Sequence, residues 1–160
     1  MNIQVRPGTI EDCDTIHAFI SELADYLDLK EKVQATPADL RRDGFGSSPK
    51  FYTILAHDVG KTVGVAIYFF TYSSWAGRKV LNLHDIIVSK SNRRSGVGRH
   101  LLVYLAKEAK KNDCARIGLE VRSYNKARKF YEKLGFTQDH SNLIYELNEA
   151  DFKKINLGGT

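Results

Sequence analysis

The run from residue 79 to residue 121 constrains the fold most. An apolar stretch, KVLNLHDIIV (79–88), leads into a glycine turn, SNRRSGVGR (91–99), and a second apolar stretch, ARIGLEV (115–121), closes the run. Between them Leu101, Leu102, Leu105 and Ala109 recur at helical spacing on one face. A strand, a helix and a strand in that order form a crossover that returns the chain to the same sheet, so the two strands are predicted to be parallel neighbours.

The remaining strands are predicted to pair differently. FYTILAHD (51–58) and TVGVAIYFFTY (62–72) are rich in β-branched and aromatic residues, and VGKT (59–62) supplies a hairpin turn between them, so with 79–88 they read as an antiparallel meander. IQVRP (3–7) reads as a first strand, and FTQDH and LIYELN as a closing hairpin. Thr9 with Asp12 has the form of a capping box that opens a helix to about Tyr26, with Ile10, Cys13, Ile16, Phe19, Ile20 and Leu23 at helical spacing. Pro37, after Thr36, suits the first turn of a short second helix that stops at DGFG (43–46). Asn125 caps a last helix that turns Ala127, Phe130 and Leu134 inward and ends at Gly135. The expected fold class is α/β in content and α+β in arrangement, a mixed, mostly antiparallel sheet of about seven strands flanked by helices. One domain over 1–160 is expected, with NLGGT (156–160) as a frayed end.

No apolar run approaches the ~20 residues of a membrane span, and MNIQVRP lacks the pattern of a cleaved signal. Cys13 and Cys114 are too few for a disulfide framework, and no Cys/His cluster has metal-ligand spacing, so a cytoplasmic protein without a metal is expected. The net charge of +5 is unevenly spread. Residues 90–133 hold thirteen Lys and Arg against four Asp and Glu, whereas residues 1–45 hold five against nine. That division is compatible with solvated helix faces, or with one site for an anion and another for a cation. A nucleic-acid partner is not expected, because aromatics in the basic segment are few and follow the helix pattern, with no recognition motif beside them.

The RRSGVG turn (93–98) follows a strand and opens a helix, which directs several backbone N–H groups into one concavity at the positive end of the helix dipole. A tight strand-to-helix turn and an oxyanion site both fit these residues. A P-loop is excluded by the missing Gly-Lys-Ser/Thr, and a dinucleotide fingerprint by Leu101 at its last position.

Arg93-x-x-Gly96-x-Gly98 resembles the signature of the GNAT superfamily of N-acetyltransferases, and it stands where that family carries it, between the fourth strand and third helix. LEVRSYNKARKFYEKLGF (119–136) is similar to a second family segment, so the resemblance covers nearly the whole chain. It implies a reaction that transfers acetyl from acetyl-CoA. Arg93, Arg94, Ser95, Gly96, Val97, Gly98 and Arg99 would hold the donor's pyrophosphate, chiefly through the amides of Val97, Gly98 and Arg99. Backbone of Ile86, Ile87 and Val88 would hold the pantetheine arm, with Asn125, Arg128 and Tyr131 beside it. Tyr131 would be the acid at the departing thiolate; with a phenol near ~10 and a thiol near ~8.5, full proton transfer is uphill by about 2 kcal/mol, so a hydrogen bond to the thiolate is the expected contribution.

DLRRDGFGSSPKFY (39–52) and YFFTYSSWAGRKVLNLHDIIV (68–88) resemble the spermidine/spermine and thialysine branch, which implies a small-molecule primary amine as acceptor and a homodimer. Two positions depart from the polyamine pattern, His84 in place of an acidic residue and Ser73 in place of an Asp. His84 is a candidate base, or a strand residue that satisfies a neighbour's hydrogen bond. Asp85 is a structural residue or orients the acceptor, and Glu120 is a further candidate for binding it. Glu22 and Asp25 either draw a cationic amine or end a solvated helix, and Trp75 packs on the acceptor, on the sheet or on a partner subunit. Alternatives to a small-molecule enzyme are a peptide or protein acetyltransferase of the same fold and a non-catalytic coenzyme A-binding module.

Overall fold

A computed structural model of the chain describes residues 2–155. The chain divides into two compact units, Met1–Glu120 and Val121–Thr160. NLGGT lies outside the described residues.

The first unit is built on one five-stranded sheet in the sequential order β1 (Gln4–Pro7), β2 (Tyr52–Asp58), β3 (Lys61–Ser73), β4 (Arg78–Val88) and β5 (Arg116–Leu119). The first three pairings are antiparallel and β4–β5 is parallel, as the crossover through α3 (Val97–Lys111) requires. Period-two alternation along β3 assigns the two faces of the sheet. Val65 and Ile67 join Cys13, Ile16 and Phe19 of α1 (Cys13–Tyr26) and Leu40 of α2 (Pro37–Gly44) in one buried cluster. Gly64 turns to the other face, where a Cβ would stand 2.8 Å from Val97 Cγ1, so its lack of a side chain seats the first turn of α3 on the sheet. Leu101, Leu102, Leu105 and Ala109 are buried with Val97, the stripe that their spacing predicts. Full burial of each leucine contributes roughly 1.5–3 kcal/mol.

The entries to α2 and α1 are secured by side-chain bonds, reciprocal at α2. Thr36 N–H donates to Asp39 Oδ2 (2.9 Å) and Asp39 N–H donates to Thr36 Oγ1 (3.3 Å), with Pro37 in the first turn. Thr9 N–H donates to Asp12 Oδ2 (2.8 Å), and the Arg6 guanidinium on the same carboxylate helps hold its pKa down to about 2.

The second unit contains α4 (Arg128–Lys133). Asn125 Oδ1 accepts from Ala127 N–H (2.9 Å) and Asn125 O accepts from Arg128 N–H (3.2 Å), so Asn125 caps the turn that enters the helix. Gly135 N–H reaches Glu132 O (3.1 Å) and Phe136 N–H reaches Tyr131 O (3.1 Å), which closes the helix in a Schellman motif. The sheet has five strands where about seven are expected, because the described residues 137–148 form neither helix nor strand. Leu143, Ile144 and Tyr145 are 78%, 67% and 87% exposed, so the alternation in LIYEL buries no face there, and a β pattern contributes stability only where a face is covered and an edge is paired.

Candidate functional site

The site in the first unit begins with an irregularity in β4. Ile67 pairs with Asp85 and the next residue, Tyr68, pairs with Leu83, which leaves His84 as the extra residue of a β-bulge. Successive side chains on a regular strand point to opposite faces. At the bulge they do not: His84 and Asp85 both line one cavity of about 690 Å3, with Phe69, Phe51, Leu23 and Leu40 among its other walls. The cavity lies between α1, α2, the connection between them and the β3–β4 face, wholly within the first unit.

His84 and Asp85 form a hydrogen-bonded pair, Nδ1 to Oδ2, at 2.9 Å. A carboxylate only accepts, so Nδ1 carries the proton, and in the neutral ring Nε2 is the nitrogen with a lone pair. The hydrogen bond to Asp85 raises the His84 pKa above its ordinary value against the opposing effect of burial, and the charges of Asp85 and Glu120 add to the rise. The ring lies 6.2 Å from Phe69, centroid to centroid.

The bulge also marks where β4 loses a neighbour. The β4–β5 pairing ends at Leu83–Leu119, whereas β4 runs on to Val88. From His84 through Ile86, Ile87 and Val88, the edge of β4 toward β5 therefore has no strand partner among the described residues. Such an edge presents backbone donors and acceptors to an extended, amide-bearing ligand.

The glycine loop follows at once. Gly96 adopts φ +91° at the N-cap of α3, and Arg94 lies at φ +66°. The first intrahelical bond runs from His100 N–H to Gly96 O (3.2 Å), so the amides of Val97, Gly98 and Arg99 are donors that the helix does not use. Arg94 and Arg99 are exposed beside them, and Ser95 Oγ donates to Asn92 O within the loop. Together these amides, the dipole and the basic side chains fit a phosphate-bearing ligand.

Arg93 stands apart from that group. Its Nε donates to Val88 O (3.2 Å), its terminal nitrogen lies 3.5 Å from Glu22 Oε1, and its guanidinium covers the Tyr26 ring at 4.5 Å. Glu22 Oε1 also accepts from Lys90 N–H (2.9 Å). Glu22, expected either to draw a cationic amine or to end a solvated helix, and Arg93, a pyrophosphate ligand by resemblance, thus tie the end of α1 to the β4–α3 loop. Asp25 pairs with Lys30 at 3.6 Å and does not line the cavity.

Ser73 and Trp75 are likewise placed away from His84. Ser73 accepts from Ala76 N–H at Oγ (3.2 Å) and from Gly77 N–H at O (2.8 Å), closing the β3–β4 turn, and Trp75 at that turn is fully exposed. Arg78, the partner of Ser73, lies six strand residues from His84, about 20 Å at ~3.3 Å per residue. Neither residue is a cavity wall of its own chain.

In the second unit Tyr131 is 9% exposed, with its ring between Phe130 (5.4 Å) and Phe136 (5.8 Å). Arg128 donates to Ser123 O and to Gln138 Oε1, each at 3.0 Å, and so braces the segments on either side of α4. No cluster of three or more metal-ligating side chains occurs among the described residues, and no described helix is long and apolar enough to cross a membrane.

Two contributors escaped the sequence reading. The bulge had a visible signal, since HisAsp interrupts the apolar alternation of VLNLHDIIV with two successive polar residues. The connection 29–35, which supplies Leu29, Lys32, Val33, Gln34 and Ala35 to the cavity, has no periodicity that would have marked it.

Comparison with known proteins agrees with this architecture. The chain is 32% identical over 142 residues to the thialysine N-epsilon-acetyltransferase of Bos taurus, covering 83% of both proteins. It is 38% identical over 131 residues to the spermidine/spermine N(1)-acetyltransferase-like protein 1 of Homo sapiens, covering 78% of this chain and 19% of that protein. Among solved structures, an integron cassette protein from the mobile metagenome of V. cholerae superposes with a TM-score of 0.80 at 26% identity, over 96% of this chain and 97% of that one. The sequence profile of the Acetyltransferase (GNAT) family matches residues 16–136, a span that holds the bulged strand, the glycine loop and α4. With that match over most of its length and the α+β GNAT fold around it, the chain belongs to the GNAT family and is an N-acetyltransferase.

Proposed function

We propose that this enzyme transfers acetyl from acetyl-CoA directly to a primary amine of a small molecule, in a ternary complex, with the two units acting as one domain and the chain as a homodimer. One observation carries the reading. The bulge turns His84 and Asp85 into an open, largely apolar cavity at the point where β4 gains a free edge, a few residues before the unused amides of α3. An acceptor in the cavity and a donor along the edge and loop would meet at His84. The names of the relatives, thialysine and spermidine/spermine acetyltransferases, support an amine acceptor.

When bound, acetyl-CoA supplies an activated thioester carbonyl. The chain's own task is to deliver a neutral amine to it. For an amine of pKa ~10.4 at pH 7, neutralisation costs about 4.6 kcal/mol. His84 meets part of that cost as a base, with Asp85 holding the proton on Nδ1 so that Nε2 accepts the ammonium proton directly or through water. The apolar walls meet another part, since desolvation disfavours the charged amine. The amides of Val97, Gly98 and Arg99 hold the pyrophosphate and the free edge of β4 holds the pantetheine amides. Tyr131 donates a hydrogen bond to the departing thiolate.

Thiol release measured with acetyl-CoA and a panel of amines, lysine analogues and peptides tests the reading. Turnover with small amines is expected. Turnover confined to peptides overturns the acceptor class, and acetyl-CoA binding without turnover on any amine overturns the reaction. Tyr131→Phe is expected to lower kcat while acetyl-CoA affinity changes little.

A further inference from the structure

The composition of the cavity wall points to a narrower acceptor than a generic amine. Resting on the acetyltransferase reading above, the geometry points to a primary monoamine carried on an apolar body, aliphatic or arylalkyl, with no second cationic group. Apart from His84 and Asp85 the wall is mostly hydrocarbon, formed by residues such as Leu27, Leu29 and Val33. Its other polar members are Gln34 and two cations, Lys32 and Lys50, all three exposed to solvent. Asp85 is the single carboxylate among the described cavity-lining residues, and it is already bonded to His84 Nδ1.

A diamine or polyamine would extend its second ammonium into this region. It would find hydrocarbon and the Lys32 charge there, Lys50 being paired with Asp43, and no carboxylate to replace the water that it gives up against the wall, which disfavours its approach. The acidic N-terminal residues do not supply the missing charge. Glu22 is held by Lys90 N–H and faces Arg93, Asp25 pairs with Lys30, and Asp28 and Glu31 are exposed off the cavity wall. Asp43 is directed to Lys50 Nζ at 2.7 Å, and to Arg42. An alkyl or aryl body has no such mismatch and gains from burying its surface against the same wall.

The decisive comparison is between hexylamine and cadaverine, chains of equal heavy-atom length that differ in a terminal methyl against an ammonium. With the full chain and acetyl-CoA, kcat/KM for hexylamine is expected to exceed that for cadaverine by about tenfold, the scale of bringing a partly solvated ammonium without a counter-charge against an apolar wall. A ratio near one, or a preference for cadaverine, overturns the acceptor class and leaves the acetyltransferase reading standing. Absence of turnover with any amine, in a sample that binds acetyl-CoA, overturns that reading and this inference with it. Gln34→Glu places a carboxylate on the wall at almost unchanged volume, and it is expected to move the ratio toward cadaverine by about fivefold. A ratio that Gln34→Glu leaves unmoved also overturns the inference, because the second amine would then lie elsewhere.

Discussion

The two halves of β4 have the same neighbours in sequence and opposite characters in the fold. From Val80 to Leu83 the strand has β3 on one side and β5 on the other, and Val80, Leu81 and Leu83 are buried. From His84 to Val88 it keeps β3 alone, starts with a bulge and faces a cavity. The first half holds the sheet together and the second presents chemistry. A regular, doubly paired strand spends its backbone groups on neighbours and alternates its side chains, so it cannot converge two adjacent polar groups on one ligand. Losing one neighbour and inserting one residue removes both restrictions.

Substitutions in the two halves should therefore fail in different ways. The largest effect is expected from His84→Ala, a fall in kcat of about 10²–10⁴-fold with the melting temperature nearly unchanged, measured by thiol release beside thermal unfolding. A loss smaller than tenfold would remove His84 from the role of base. Leu81→Ala should do the reverse, costing roughly 2–5 kcal/mol of stability in denaturant titrations while kcat per folded molecule is preserved, because Leu81 is fully buried in the doubly paired half.

Asp85→Asn sharpens the comparison through pH. Asp85 raises the His84 pKa, so protonated His84, which has no lone pair at Nε2, persists to higher pH and activity should rise with pH through that raised value. The variant's acid limb should move to lower pH, and an unmoved limb would separate His84 from the titrating step. The stability sign is opposite in sense. The pair's contribution is present below the ordinary histidine range near ~6.5 and is lost as pH rises through the raised value, so Asp85→Asn should cost stability chiefly at low pH. With the ring exposed, that contribution is small. The smallest effect is expected at the far turn. Trp75→Ala should change kcat/KM by less than about twofold, because Trp75 is remote from the cavity of its own chain.

How much of this was legible varies by element. The stripe Leu101, Leu102, Leu105 and Ala109, the Thr36–Pro37 entry and the parallel crossover were all readable, since each follows from local spacing or chain connectivity. The closing hairpin was misread because FTQDH and LIYELN carry strand chemistry without a covered face. Glu22 was read as drawing a cationic amine or ending a solvated helix, and neither reading anticipates its partner Lys90, 68 positions away, a pairing that composition does not encode. Ser73 was placed near the acceptor by resemblance and Trp75 was left between acceptor, sheet and partner subunit; the length of the β3–β4 hairpin carries both to its far end.

By itself, then, the sequence determined the helices, the order of the strands and the glycine loop whose amides face outward at α3. Those features depend on periodicity, capping and connectivity, which act over a few residues. The tertiary structure alone decided that His84 is the bulged residue, that β5 stops at Leu119 opposite Leu83, and that the connection 29–35 walls one side of a cavity whose single carboxylate among the described lining residues is Asp85. Register, strand termination and cavity walls arise from pairings across dozens of residues, where the winning arrangement is set by which surfaces can be buried together.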